Sequence, residues 1–273
     1  MDKIQLHEYF IPFKGVKKKV IYHFSDSHLT EYDDLSDENE KEKAIKSTAA
    51  WENVRKGFCD VSGEGYEELH RQAPLTHFKN LLQTASDGSA LIMAGDTLDY
   101  INGANIRATD AALEGYEVPY IAVCGNHENA EQVPVGHAIS GMCDEVQIIE
   151  LEDMVILGID DSKRMISNKA FEALRELLNG EKPILLAMHI PIMTDGNRER
   201  LLNSGVYFQL NYEGCPKESV EFIELIKQNS ERFIAILAGH LHYPNISEVA
   251  SGLTQYVSAQ GITGNINRYI IGE

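Results

Sequence analysis

The sequence predicts an α/β fold, and three features of the chain lead to this prediction. Five short apolar runs have the length and composition of strands that are buried on both faces. Segments with helical spacing lie between several of these runs, which is the alternation of crossover α/β units. Apolar runs at 146–151 and 154–159, separated only by Glu152 and Asp153, predict a tight hairpin and therefore a second sheet.

The predicted elements can be placed in chain order. The five buried strands are expected at residues 20–24, 91–94, 121–124, 184–188 and 234–238. The predicted helices start at Pro74, cover residues 105–113, run from a Ser167 cap to Gly180, and cover residues 218–228. Residues 261–265 are explained equally well as a turn between two terminal strands and as a wall of the site.

We interpret residues 1–273 as a single domain with two segments that do not fit this alternation. Residues 31–73 begin with an acidic run and continue through a loosely helical stretch around Trp51. A solvated surface insertion is favoured there over a cap that covers the substrate. Residues 193–216 directly follow a polar cluster, so Arg198 and Arg200 are candidate substrate-binding residues, although a simple surface loop explains them equally well.

The composition restricts the partners and the compartment. The net charge of -18 disfavours nucleic acid and anionic membranes as partners, because contacts with phosphates require clustered Lys and Arg. A small phosphorylated substrate remains compatible, since bound cations would dominate the field inside a site. The four cysteines form no C-x-x-C pair, and no apolar stretch reaches membrane-spanning length. We therefore expect a cytoplasmic protein with reduced thiols and no membrane anchor; its oligomeric state is not predicted.

Polar side chains that can bind metals follow each of the five buried strands. The clusters are Asp26-Ser27-His28, Gly95-Asp96-Thr97-Leu98-Asp99, Gly125-Asn126-His127-Glu128, His189, and Gly239-His240-Leu241-His242. We expect them to share one crevice, because ligands of open α/β sheets bind at the carboxyl ends of the strands. Mixed oxygen and nitrogen donors favour Mn, Fe or Zn over Ca²⁺ and Mg²⁺. Two such ions, about 3.5–4 Å apart, can hold a bridging hydroxide and clamp a phosphoryl group.

These five ordered motifs resemble those of the calcineurin-like metallophosphoesterase superfamily, and the resemblance runs from Asp26 to His242. It implies a four-layer α-β-β-α sandwich of two mixed sheets flanked by helices, with a dinuclear metal site. The implied ligands of the first metal are Asp26, His28, Asp96 and His242. The implied ligands of the second metal are Asp96, Asn126, His189 and His240.

The same resemblance implies two catalytic residues that do not bind metal. His127 would protonate the leaving oxygen or stabilise charge on the phosphoryl group, and Asp99 would orient its imidazole. Purple acid phosphatases have a tyrosine ligand where this chain has Asp99, and protein serine/threonine phosphatases have an arginine where it has Tyr100. Both branches are therefore disfavoured. Glu128 stands where many bacterial phosphodiesterases of the superfamily have Asp, so we assign it no role.

The expected function is metal-dependent hydrolysis of a phosphoester bond, more specifically a phosphodiester, in a small molecule. Three alternatives use the same site: a phosphomonoesterase or nucleotidase, a nuclease, and a scaffold that binds metal without catalysis. The nuclease requires a basic groove, which the acidic composition disfavours. The scaffold would be expected to have lost some of the ligands or His127, yet all are present. Five other histidines are interpreted as structural: His7, His23, His70, His77 and His137.

Overall fold

In a computed structural model of the protein, the residues that are described are 4–62, 72–128, 137, 144–208 and 217–273. Within them the chain forms six α-helices and eleven strands. The helices are α1 (Glu38–Ser62), α2 (Pro74–Thr84), α3 (Gly103–Leu113), α4 (Asn168–Asn179), α5 (Arg198–Ser204) and α6 (Lys217–Gln228). The strands are β1 (Gln5–Ile11), β2 (Lys19–Phe24), β3 (Ala90–Ala94), β4 (Tyr120–Val123), β5 (Val146–Glu150), β6 (Val155–Ile159), β7 (Ile184–Ala187), β8 (Phe233–Ala238), β9 (Asn245–Ala250), β10 (Leu253–Val257) and β11 (Asn265–Ile271).

The strands form two mixed sheets. The first has the order β1-β11-β2-β3-β4, in which β2, β3 and β4 are parallel neighbours and β11 is antiparallel to β2. The second has the order β5-β6-β7-β8-β10-β9, in which β6, β7, β8 and β10 are parallel. The predicted hairpin is confirmed as the antiparallel pair β5 and β6 at the edge of the second sheet.

Three apolar cores separate four layers. Between the sheets, side chains such as Ile92 of β3 pack with Leu185 of β7. Outside the first sheet, Phe78 and Leu81 of α2 pack on β2 and β3, and α3 lies on the same side. Outside the second sheet, residues of α4 and α6, including Phe222, pack on β6, β7 and β8. The central strands are apolar on both faces for this reason, and the predicted four-layer sandwich is confirmed.

The predicted strands and helices agree with the structure to within two residues at almost every boundary. Ser167 caps α4 by accepting a hydrogen bond from the Ala170 main-chain N–H, as its position before the helix predicted. Residues 261–263 form a short 3₁₀-helix between β10 and β11. Residues 63–71 and 209–216, which include His70 and Tyr212, lie outside the described residues.

The main difference from the sequence prediction lies in the segment 31–73. Most of its described part is the 25-residue helix α1. Ala44 and Arg55 are buried, although half of the residues between them are polar. Because that inner face carries few large apolar side chains, the sequence predicted only a loosely helical stretch around Trp51 and not the length of the helix. None of the helices in the described residues is both long and apolar enough to cross a membrane.

Gly158 of β6 provides a test of how closely the two sheets pack. A Cβ atom there would overlap Cγ2 of Ile121 and lie 3.2 Å from Cγ1 of Val123, both across the inter-sheet core. We expect Gly158→Ala to lower the free energy of unfolding by about 1–3 kcal/mol, the usual cost of overpacking. Chemical denaturation measures the change.

Gly57→Ala is the matched control, because Gly57 lies in α1 and a Cβ there meets nothing within 4 Å. Alanine is the better helix former, so this variant should be more stable by roughly 0.5–1 kcal/mol. Equal stability of Gly158→Ala and the wild type would contradict the tight packing of the two sheets.

Candidate metal centre

The structure brings all seven predicted metal ligands to one edge of the sandwich. They follow the carboxyl ends of β2, β3 and β4 in the first sheet and of β7 and β8 in the second. Main-chain hydrogen bonds join the loops: the N–H of Asp26 donates to Gly95 O, and the N–H of Gly239 donates to His189 O. The His240 N–H donates to Oδ2 of Asp26 at 3.0 Å, so a bond links the two sheets at the site.

The backbone at this edge is strained. Six non-glycine residues in the described chain have a positive φ, and five of them are Asp26, His28, Asp96, His240 and His242. Left-handed backbone costs such residues on the order of 1–3 kcal/mol each and persists where the surrounding structure enforces it. A run of such residues in one crevice indicates a functional site.

Four side chains converge at the first half of the site. The Nε2 atoms of His28 and His242 are 3.1 Å apart, and Nε2 of His242 lies 3.0 Å from Oδ1 of Asp26. Nε2 of His28 lies 4.0 Å from Oδ2 of Asp96. Asp26, His28 and Asp96 are almost entirely buried. Two imidazole nitrogens and two carboxylate oxygens that lie this close together form a donor set that fits a metal ion.

Three further side chains converge on the other side of Asp96. Nε2 of His189 lies 3.3 Å from Oδ2 of Asp96 and 3.2 Å from Oδ1 of Asn126. Nδ1 of His189 is 2.8 Å from Ala94 O, a group that can only accept, so Nδ1 carries a proton and Nε2 is the nitrogen that faces the two oxygens. A histidine that donates to a carbonyl in this way is typical of metal ligands.

His240 completes this second group, and its ring is oriented by α5. Its Nε2 lies 3.1 Å from the hydroxyl of Ser204, which leaves Nδ1 for the centre of the site. His240, His189 and Asp96 each offer an atom within 4.8 Å of the others, as do Asp26, His28, Asp96 and His242. Asp96 belongs to both groups, which is the position a bridging carboxylate requires.

His127 lies beside these groups and contacts Asp99. Its Nδ1 is 3.1 Å from Oδ1 of Asp99 and 3.2 Å from the main-chain O of the same residue. Its main-chain N–H donates to Oδ1 of Asp96 at 2.9 Å, which ties the loop after β4 to the loop after β3. The side chain of His127 is 36% exposed and lines the cavity described below.

The electrostatics of the site favour charge on the carboxylates. Burial lowers the pKa of His127, but the hydrogen bond to Asp99 and the charges of Asp96 and Asp99 outweigh it and raise this pKa to about 9. Burial opposes ionisation of Asp96 and Asp26, yet the neighbouring imidazoles hold the pKa of each carboxyl well below its usual range. Burial and the nearby His189 lower the pKa of His240 to about 4.

An open cavity of about 680 Å³ gives access to the site. Its walls include Asp96, Asn126, His127, His240 and His242, and α5 forms the opposite rim with Glu199, Arg200, Asn203 and Ser204.

The two predicted substrate-binding arginines differ. The Arg200 guanidinium stacks on the Tyr243 ring, 3.6 Å from its centroid, and lines the cavity. Arg198 instead pairs with Asp195 at 3.5 Å and is not one of the lining residues.

Two buried carboxylates support the site and were not assigned from the sequence. Glu128 accepts hydrogen bonds from the main-chain N–H groups of Asp96, Leu98 and Gly125 at 2.7–3.1 Å. Asp161, after β6, accepts from the N–H groups of His189 and Ile190. Burial raises the pKa of Asp161 to about 7, and burial together with the charge of Asp96 raises that of Glu128 to about 8.

Both have a signal in the sequence that could have identified them. Glu128 ends the Gly125-Asn126-His127-Glu128 cluster, and Asp161 follows an apolar strand, as the motif residues do.

Trp51 of α1 lies against the site and belongs to none of the motifs. Its ring stacks on His28 with centroids 4.0 Å apart, and its indole N–H donates to Oδ1 of Asp99.

Two of the histidines interpreted as structural lie on the strands of the first sheet, where His7 contacts Asn265 and His23 contacts Tyr269.

The fold resembles that of solved phosphatases. No family profile and no curated protein matches the chain. A dimetal phosphatase from Danio rerio superposes with a TM-score of 0.54 at 12% identity, over 90% of this chain and 88% of that one. A purple acid phosphatase from Lupinus luteus superposes with a TM-score of 0.52 at 14% identity, over 93% of this chain and 46% of that one. The protein therefore has the fold of the dimetal phosphatases.

Glu128 provides a test of how the loops are held. Its removal leaves three buried main-chain N–H groups without their acceptor, and each such group costs roughly 1–3 kcal/mol. We expect Glu128→Ala to lower the free energy of unfolding by about 3 kcal/mol or more. Denaturant unfolding of the metal-free protein measures this loss.

The exposed Glu181 is the control position, and Glu181→Ala should change stability by less than about 0.5 kcal/mol. If both variants unfold at the wild-type denaturant concentration, Glu128 does not hold the loops together.

Proposed function

We propose that the protein is a metal-dependent hydrolase that cleaves phosphoester bonds, more specifically a phosphodiester bond of a small molecule. The observation that carries the proposal is the convergence of seven buried or partly buried donor residues on two adjoining positions that share Asp96. The resemblance of the fold to dimetal phosphatases supports the same conclusion.

The proposed ligands divide into two sets. Asp26, His28, Asp96 and His242 would hold one ion, and Asp96, Asn126, His189 and His240 the other. The mixed nitrogen and oxygen donors favour Mn, Fe or Zn. When bound, a pair of such ions would activate a water molecule and polarise the phosphoryl oxygens.

His127 is the proposed general acid. With Nδ1 directed at Asp99, the other ring nitrogen is available to a leaving oxygen in the cavity. A raised pKa keeps the imidazole protonated at neutral pH, which is the state an acid requires. Asp99 acts on the reaction through His127, because the contact with Nδ1 orients the imidazole so that the other ring nitrogen faces the cavity.

The cavity favours a small substrate. Among the described residues that line it, Arg200 is the only Lys or Arg, and a nucleic acid backbone would require several. Arg200, stacked on Tyr243, is placed to contact an anionic group of the substrate at the rim. We further propose a cytoplasmic location, on the ground that the four cysteines form no paired motif.

Hydrolysis of bis(p-nitrophenyl) phosphate beside p-nitrophenyl phosphate tests the proposed activity. The protein is stripped of metal and reloaded with Mn²⁺, Fe²⁺, Zn²⁺ or Mg²⁺. We expect metal-dependent release from the diester, and loss of nearly all of it in Asp96→Asn, because the bridging carboxylate belongs to both donor sets.

Asp195→Asn, at an exposed position outside the cavity, is the control and should retain wild-type activity. Turnover of the monoester alone would replace the diesterase assignment with a phosphomonoesterase. Failure to bind any metal would contradict the proposal as a whole.

His127→Ala tests the proposed acid. An alkoxide leaves poorly without a proton, whereas p-nitrophenolate does not need one. General acids contribute roughly 10²–10⁴-fold, so we expect a loss of about 100-fold on an alkyl diester and a much smaller loss on the p-nitrophenyl diester. Metal content, measured by elemental analysis, should equal that of the wild type.

His7→Ala is the matched control, since His7 lies in β1 and contacts Asn265. Loss of metal from His127→Ala, or equal losses on the two substrates, would show that His127 is not the acid.

A further inference from the structure

Helix α1 docks on the body of the protein with one face. Ala44, Thr48, Trp51 and Arg55 recur at helical spacing along it. Ala44 and Arg55 are buried, and the hydroxyl of Thr48 is 2.8 Å from that of Thr30, which follows the first motif. The Arg55 guanidinium donates to Gln72 O, so the end of the helix is tied to the chain entering α2.

Trp51, in the middle of this face, contacts three residues of the proposed active site. Its ring is stacked on His28 with an interplanar angle of 30°, and it lies 5.5 Å from the His242 ring, centroid to centroid. Its Nε1–H donates to Oδ1 of Asp99 at 2.9 Å.

Three ring nitrogens therefore surround a single oxygen of Asp99. Oδ1 lies 2.9 Å from Nε1 of Trp51, 3.1 Å from Nδ1 of His127 and 3.5 Å from Nδ1 of His28. The carboxylate is only 11% exposed, so water has little access to compete for these positions.

The indole differs from the two imidazoles in its chemistry. An indole N–H can only donate, and it does not titrate, whereas an imidazole nitrogen is a donor or an acceptor according to its tautomer. Trp51 therefore holds Asp99 in the same orientation whatever the state of the histidines. An oriented carboxylate in turn holds the Nδ1–H of His127, so that the other ring nitrogen and its proton face away from Asp99.

We propose that Trp51 is a positioning residue of the active site: α1 carries it to Asp99, and through Asp99 it orients the general acid His127. Helix α1 is thus largely exposed to solvent, but through Trp51 it also supports the site. This inference rests on the proposed phosphoesterase function and deepens it.

The test compares two substrates that differ in their need for an acid. In Trp51→Phe a ring remains over His28, but the donor to Asp99 is lost. Because orientation is only part of the contribution of a general acid, we expect kcat on an alkyl diester to fall about tenfold. KM on the same substrate, and kcat on the p-nitrophenyl diester, should change less than about twofold.

Two further variants separate positioning from a general structural role. Val54→Ala alters an exposed residue of the same helix and should leave both substrates unaffected. Trp51→Phe combined with His127→Ala should be no slower on the alkyl diester than His127→Ala alone, because residues that act as a unit are not additive.

The wild-type protein also provides a readout that does not depend on turnover. Trp51 is the only tryptophan of the chain, so indole emission reports on this one position. Its stacking on His28 predicts that adding Mn²⁺ to the stripped protein changes the emission with the stoichiometry found by calorimetry.

The outcomes distinguish the two proposals. Suppose that the wild type is active and that Trp51→Phe lowers kcat by the same factor on both substrates, or leaves kcat unchanged on both. Either result overturns the role of Trp51 and leaves the phosphoesterase assignment intact. Metal binding by calorimetry without any change in emission likewise contradicts the placement of Trp51. A wild type that binds no metal and hydrolyses neither substrate overturns both proposals.

Discussion

The close approach of the two sheets at the carboxyl ends of their central strands is the constraint on which the rest of the structure depends. The bond from the His240 N–H to the Asp26 carboxylate crosses from one sheet to the other at this edge. Gly125 allows the approach within the first sheet, because any side chain there would collide with Asp96. Gly95 allows the approach between the two sheets, because its φ is +86° and a side chain there would collide with the His189 ring. The close packing of the two sheets therefore brings the donor residues together.

The strained backbone and the buried carboxylates follow from this approach. Five strand-end residues of the site adopt left-handed backbone. In the same loops, Glu128 accepts hydrogen bonds from the main-chain N–H groups of Asp96 and Gly125, and Asp161 accepts one from that of His189. Such a network preorganises the donor atoms, so that a cation would bind without large rearrangement of the loops.

The environment of His127 is built by segments from different layers of the sandwich. The loop after β4 supplies the imidazole, the loop after β3 supplies its carboxylate partner, and α1 covers that carboxylate from outside. On the opposite side, α5 contributes Ser204 to His240 and Arg200 to the cavity rim. The surroundings of the donor residues thus come in part from helices outside the sheets, where sequence can change without disturbing the core.

The sequence by itself determined the central strands, the hairpin, the capped helix α4 and the identity of the residues in the crevice. These features depend on local patterns: apolar runs buried on both faces, and polar clusters at their ends. The parallel pairing of β1 with β11 joins residues about 260 positions apart, and no local pattern specifies a partner at that distance. From the sequence, Arg198 and Arg200 were equally good candidates for contact with the substrate. Residues two apart on α5 face different directions, so of these two only Arg200 lines the cavity.

Only the tertiary structure decided the roles of Glu128 and Trp51, because each acts on segments that are remote in the chain. Glu128 became a loop anchor when β3 and β4 paired, and Trp51 reached Asp99 when α1 docked through a face with few large apolar side chains. Side-chain chemistry can be read from residue types, whereas the distance between two such side chains is a product of packing.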